Sequence, residues 1–237
     1  THPQRGDIAI SMKYRNGKIL IIQFQLSSST GFGLRPKILI RFNSDCKVGL
    51  ARELEYRKRD SADFLIHFDP ILGRVKLREP LNPAVPNWFD SRGVRVAHLD
   101  SGVNYLLPLI YKRLARDDEG FLVGWDFWED DARPFDLNIS GSSFFPFRHG
   151  TSVASVFLRE APTASLVPFR YPNNNMSKLS LVIDAIVDSG AEIVMMPMGS
   201  KNLDHWQTFK KKVIQNPELL FIVSAGNDGV NIDEMPI

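Results

Sequence analysis

Val94-Arg95-Val96-Ala97-His98-Leu99-Asp100-Ser101-Gly102 is the stretch that decides how the second part of this chain folds. Val94 to Leu99 is a run of β-forming, mostly apolar residues, the pattern of a strand buried on both faces of a parallel sheet. It closes on a carboxylate, a hydroxyl and a glycine. Ser165 to Phe169, Ile193 to Met196 and Leu219 to Val223 repeat the strand pattern further on. Between them lie helical patterns. One starts near Thr151. Another runs from Lys178 to Ser189, with Leu179, Val182, Ile183, Ile186 and Val187 on one face and Gly190 as its stop, and a third runs from Leu203 to Gln215. Strand–helix alternation predicts an α/β fold, a parallel sheet flanked by helices. Ligands of such sheets bind beyond the carboxyl ends of the strands, where Asp100 and Asn227 both fall.

Upstream the pattern differs. Ile8 to Tyr14, Lys18 to Leu26, Lys37 to Phe42, Phe64 to Phe68 and Arg74 to Leu77 read as strands, with Asn16-Gly17 as a hairpin turn. Leu50 to Arg59 reads as a short helix. Glu79 to Pro86 holds three prolines in eight residues and reads as an extended linker. Residues 1–90 carry 15 Lys/Arg against 9 Asp/Glu, and residues 91–237 carry 14 against 18. This charge asymmetry supports two domains, a β-rich one over residues 1–85 and an α/β one over 86–237.

Composition narrows the function. A net charge of +2 gives no basic footprint for nucleic acid. No apolar run approaches the roughly 20 residues of a membrane span. Thr1 to Asp7 lack the apolar stretch of a signal peptide. Cys46 is the only cysteine, which rules out an internal disulfide, and its neighbours predict a half-buried thiol without chemistry. The five histidines, His2, His67, His98, His149 and His205, have no paired metal-ligand spacing.

Asp100, His149 and Asn227 are each ordinary when taken alone. A strand-end aspartate is commonly a turn former, a histidine before glycine a loop residue, and Asn227-Asp228-Gly229 a turn. Together they supply an acid, a base and an amide donor. Acyl transfer needs a base for the hydroxyl proton, an acid to fix that base's tautomer, and donors for the oxyanion. The order Asp, His, Asn, with serine last, is that of subtilisin. Asp100-Ser101-Gly102, His149-Gly150-Thr151-Ser152-Val153-Ala154-Ser155 and Ser224-Ala225-Gly226-Asn227-Asp228-Gly229 resemble the three corresponding motifs of the subtilisin-like (subtilase) serine proteases. Ala161 to Leu166 and Glu192 to Gly199 resemble the segments between them. The resemblance covers roughly residues 86 to 230 and implies a subtilisin-like fold with Asp100, His149 and Asn227 as catalytic residues. It implies that Pro197, Met198 and Gly199 line the substrate cleft and pair with an extended peptide. It also implies a peptide or protein substrate, and secretion or another extracytoplasmic location.

The chain departs from the family where Ser152 and Ser155 replace the usual His and Gly, and where Met195 or Met196 stands for an Asn. The nucleophile is also missing. Gly150-Thr151-Ser152-Val153-Ala154 spells the family's serine motif, but it precedes Asn227 instead of following it. Ser152 shares a helix with His149 and reads as a helix-face hydroxyl. In subtilisin the serine follows the Asn by roughly 60–70 residues. Only ten residues follow Asn227 here, none of them serine. The expectation is a serine endopeptidase whose Ser lies outside this chain, on a second polypeptide segment, so that this chain alone is inactive. The competing reading is a non-catalytic subtilase-fold module that binds peptides or proteins. A nucleotide-binding α/β domain is disfavoured because no glycine-rich loop follows Leu99.

Asp126, Glu129, Asp130, Asp131 and Asp136 surround Trp125, Phe127 and Trp128. They read as a solvated acidic loop, with calcium a possible ligand and no cofactor required. Asn138-Ile139-Ser140 and Asn175-Met176-Ser177 fit the glycosylation pattern. Residues 1–85 are either a pro-segment or a permanent accessory domain. Family pro-segments alternate strands with two helices, which favours the accessory domain.

Overall fold

The computed structural model describes residues 6–30, 33–56, 62–138, 141–171, 178–199, 203–227 and 229. Asn175-Met176-Ser177, Asp228, His2 and the side chain of His205 lie outside the described residues. By internal contacts the chain forms two compact units. One comprises Thr1–Pro83 and Ile139–Pro146, the other Ala84–Asn138 and Phe147–Ile237.

The first unit is a six-stranded antiparallel meander in sequence order: β1 (Gly6–Arg15), β2 (Lys18–Thr30), β3 (Gly33–Asn43), β4 (Val48–Glu55), β5 (Phe64–Phe68) and β6 (Val75–Pro80). Among the described residues of Leu50 to Arg59, where a helix was expected, β4 stands instead. Ala, Arg, Glu and Leu favour helix, but the preference is weak beside the paired edges of β3 and β5 on either side. Within β4, Leu50, Arg52 and Leu54 alternate onto one face. Leu54 is buried opposite Leu65. The 139–146 segment supplies Phe145, whose ring lies 4.0 Å from the Arg41 guanidinium and 4.6 Å from that of Arg52. Arg52 also donates to the Phe144 carbonyl. Cys46 sits exposed in the β3–β4 turn at φ 58°, not half-buried as its neighbours predicted.

The second unit holds a five-stranded all-parallel sheet in the order β11-β10-β7-β9-β8. Its elements are β7 (Arg95–Asp100), α1 (Pro108–Tyr111), β8 (Trp125–Asp126), α2 (His149–Glu160), β9 (Ser165–Arg170), α3 (Leu179–Asp188), β10 (Ile193–Met196), α4 (Gln207–Gln215) and β11 (Leu220–Val223). The expected helix over Leu203 to Gln215 starts as a 3-10 turn, Leu203–Trp206. Leu179, Val182, Ile183 and Ile186 of α3, spaced to fall on one stripe, are fully buried against Ala97, Leu99, Val167 and Val194. Each such side chain contributes roughly 1.5–3 kcal/mol of burial. On the other face of β7 and β9, Leu166 packs with Ala154 and Leu158 of α2 and with Val103, Tyr105 and Phe135. The central strand β7 is thus covered on both sides, and Asp100 emerges at its carboxyl end. No helix is long and apolar enough to cross a membrane among the described residues.

Candidate active site

Asp100 and His149 are 49 positions apart, and two elements bring them together. β7 delivers the carboxylate to the sheet's carboxyl edge, and α2 begins at His149 directly above it. Arg148, at the N-cap, offers no capping side chain. The free first-turn amides are taken instead by the β7 side of the site. Gly150 N–H donates to Ser101 Oγ at 3.0 Å, and Thr151 N–H donates to Asp136 Oδ2 at 2.7 Å. Ser101 Oγ in turn donates to Asp136 Oδ1 at 2.7 Å. A carboxylate at a helix N-terminus also meets the positive end of the helix dipole. One buried Asp therefore clamps strand end to helix start. Close approach does the rest. A Cβ on Gly150 would clash with Gly102 O, well inside van der Waals contact, and lie 3.2 Å from Asp100 Cβ and Cγ. Gly102 itself is at φ +98°, where a Cβ would stand 2.6 Å from Pro134 O.

The result is an imidazole held by a carboxylate. His149 Nδ1 lies 2.9 Å from Asp100 Oδ1 and 2.8 Å from Oδ2, and Ser101 N–H donates to Oδ1 at 2.6 Å. The Asp100 side chain is 7% exposed and that of His149 40%. With Nδ1–H committed to the carboxylate, Nε2 keeps its lone pair and faces outward. Burial, the largest single influence, pushes the Asp100 carboxyl up. It is outweighed by the nearby His98 ring, the His149 contact and the Ser101 amide, so the carboxyl lies below the usual range. The carboxylate orients the imidazole through Nδ1, an arrangement able to take and return a proton at Nε2.

Both residues line a cleft of about 170 Å³ with Ser101, Asn138, Phe147, Pro197, Met198, Gly199 and Trp206. That is room for one side chain, not for a drug-sized ligand. The Phe147 ring stacks on His149 at 6.0 Å between centroids and 20° between planes. Pro197, Met198 and Gly199, just past β10, thus share the cleft with Asp100 and His149. Asn227 lies exposed in the segment after β11 and is not among the cleft-lining residues. Ser152 Oγ is 3.0 Å from the Arg148 carbonyl, spent on its own helix. Among the described residues no hydroxyl hydrogen-bonds to His149.

The acidic loop is only partly the solvated one its composition predicted, with Glu129 and Asp130 exposed. Asp126 and Asp136 are fully buried. Asp126 accepts from the buried Arg170 guanidinium at 2.6 Å and from the amides of Trp128 and Glu129. Burial pushes both carboxyls up, offset in part at Asp126 by the Arg170 charge and at Asp136 by hydrogen bonds from Thr151 and Ser101. Among the described residues no group of three or more His, Cys, Asp or Glu is arranged to hold a metal ion. The clamping role of Asp136 was missed because it was grouped with its acidic neighbours. No alternation signal could have found it: between Phe135 and Leu137 an acid reads as the outward residue, whereas all three side chains are buried.

No curated protein matches the chain. A family model described as the subtilase family, peptidase family S8, matches residues 91–235, more than half of the sequence and the whole of the parallel sheet apart from its lead-in. The sequence order of acid and base, the strand-end carboxylate and this match agree, and the chain belongs to the subtilase family.

Proposed function

We propose that this chain carries the acid–base part of a subtilisin-type serine endopeptidase, with residues 86–237 in a subtilisin-like fold. The observation that carries the reading is the contact of His149 Nδ1 with both Asp100 oxygens while the ring's other edge stays open to the cleft. In this reading Asp100 orients His149 and stabilises its imidazolium. His149 takes the proton of a serine hydroxyl and returns it to the leaving amine. Asn227 donates to the oxyanion. Pro197, Met198 and Gly199 bind an extended substrate backbone, with Phe147, Met198 and Trp206 receiving one apolar side chain.

The serine is supplied by a segment outside these 237 residues. The parallel sheet supports this. Among the described residues β11 pairs only with β10, and Leu220, Ile222 and Val223 are more than half exposed along it. An uncovered apolar edge strand favours addition of a further segment. The six-stranded meander, without helix among its described residues, is read as an accessory domain.

The test is hydrolysis of an unfolded protein substrate by the chain together with its serine-bearing segment, with new amino termini read by mass spectrometry. Cleavage that falls by about 10⁴ in Asp100→Asn supports the reading. Cleavage unaffected by Asp100→Asn overturns it.

A further inference from the structure

His98 is a histidine with no role in the chemistry above, and its surroundings are unusual. It sits two residues before Asp100 on β7, so both side chains leave the same face of the strand. Its side chain is completely buried, and neither ring nitrogen has a hydrogen bond of good geometry. Its register neighbours, Met195 on β10 and Pro168 on β9, offer it no charge. An apolar residue would fill the position without leaving polar nitrogens unpaired in the core. Its Nε2 lies 3.5 Å from Asp100 Oδ2.

The two carboxylate oxygens are served differently. Oδ1 receives the Ser101 amide as well as His149. Oδ2 receives His149 and faces His98, with no other donor among the described residues. The other charged groups nearby are engaged elsewhere. Arg170, opposite Asp100 in register on β9, is bound to Asp126, Glu129 and the Leu137 carbonyl. Asp136 is bound to Ser101 and Thr151.

We propose that His98 is a positioning residue for the Asp100–His149 pair, its neutral ring directing Nε2–H at Asp100 Oδ2 so that two imidazoles cradle one carboxylate. The distance is long for a hydrogen bond but short enough for the N–H dipole to act on a buried charge, where screening is weak. The N–H stabilises the anion and fixes the carboxylate plane, which lets His149 Nδ1 meet both oxygens at nearly equal distance. The lowered carboxyl of Asp100 agrees in direction. The catalytic consequence rests on the peptidase reading; the coupling of His98 to Asp100 does not.

The experiment is NMR on the 237-residue chain, with no peptidase assay, so its failure is distinct from failure of the proposed function. Carbon-detected titration of Asp100 is compared in the unsubstituted chain, His98→Leu and His98→Gln. Leucine keeps the volume and removes the donor, whereas glutamine keeps an N–H near Nε2. The Asp100 carboxyl titrates higher by roughly half a pH unit or more in His98→Leu and stays near its original position in His98→Gln. The low-field Nδ1–H resonance of His149 shifts in the leucine variant alone. A packing role moves neither signal, and equal titration of Asp100 in all three proteins overturns the proposal. Should His98→Leu not fold, nitrogen shifts of His98 in the unsubstituted chain decide. Protonation at Nε2 supports the cradle, and protonation at Nδ1, with a bare Nε2 facing the carboxylate, overturns it.

Discussion

Gly150→Ala separates the local from the tertiary logic of this site, because the two predict opposite signs. Within a helix, Ala is favoured over Gly by about 1 kcal/mol. Gly150 is the second residue of α2, and its backbone angles are ones any residue adopts. Local physics therefore predicts a more stable protein. The added Cβ, however, meets backbone on one side, Gly102 O, and the Asp100 carboxylate stem at 3.2 Å on the other. Neither is the flexible end of a side chain. To restore ordinary contact, the first turn of α2 must retreat from β7 by about 1 Å, and overpacking of this kind costs about 1–3 kcal/mol. That also loosens the Gly150–Ser101 and Thr151–Asp136 hydrogen bonds, at about 1 kcal/mol each. Set against the gain in helix propensity, the net expectation is a loss of about 2–4 kcal/mol. The assay is urea unfolding of the chain followed by circular dichroism. In the serine-complemented enzyme the same 1 Å separation of His149 from Asp100 lowers kcat by about 10². A variant as stable as the unsubstituted chain, or more so, refutes the claim that α2 is seated by close approach to β7.

Arg170→Met leaves Asp126 buried without its ion partner and should cost about 3–5 kcal/mol in urea unfolding. Adding Asp126→Asn, which keeps an acceptor for the Trp128 and Glu129 amides, should recover part of that loss. Ser152→Ala should leave both stability and cleavage unchanged within about 0.5 kcal/mol and twofold, since its hydroxyl serves only the Arg148 carbonyl. A large loss of cleavage would make Ser152 the nucleophile after all. The Asp136 carboxyl is raised by burial, so the folded state binds extra proton between the ordinary carboxylate pH of about 4 and the raised value. Stability from Asp136 is therefore full below that window and falls as pH rises through it. Asp100, lowered, acts in the opposite sense and loses its contribution as pH falls through its folded value. Urea midpoints of the unsubstituted chain should drop relative to Asp136→Asn as pH rises from about 4 toward neutrality; parallel curves would contradict the assignment.

The α/β unit was legible because its strands are nearly continuous apolar runs and α3 carries its core stripe at helical spacing. Asp100 and His149 were legible from the order of their motifs, although neither residue alone is informative. β4 was misread because its helix-forming composition says nothing of the two strands that flank it. Two carboxylates of the acidic loop, Asp126 and Asp136, were misread for a similar reason. Asp126 is neutralised by Arg170, 44 residues away, and Asp136 is hydrogen-bonded by the Ser101 hydroxyl and by the Thr151 amide, which is placed only once α2 begins at His149. The i, i+2 spacing of His98 and Asp100 on one strand is visible in the sequence, but the complete burial of the His98 ring is not.

The most direct measurement is fluorophosphonate labelling of the serine-complemented protein, with the modified residue located by mass spectrometry. Labelling of one serine outside residues 1–237, abolished by His149→Ala, is the predicted result. No labelling, or labelling that survives His149→Ala, would contradict the assignment of Asp100 and His149 as an acid–base pair for acyl transfer.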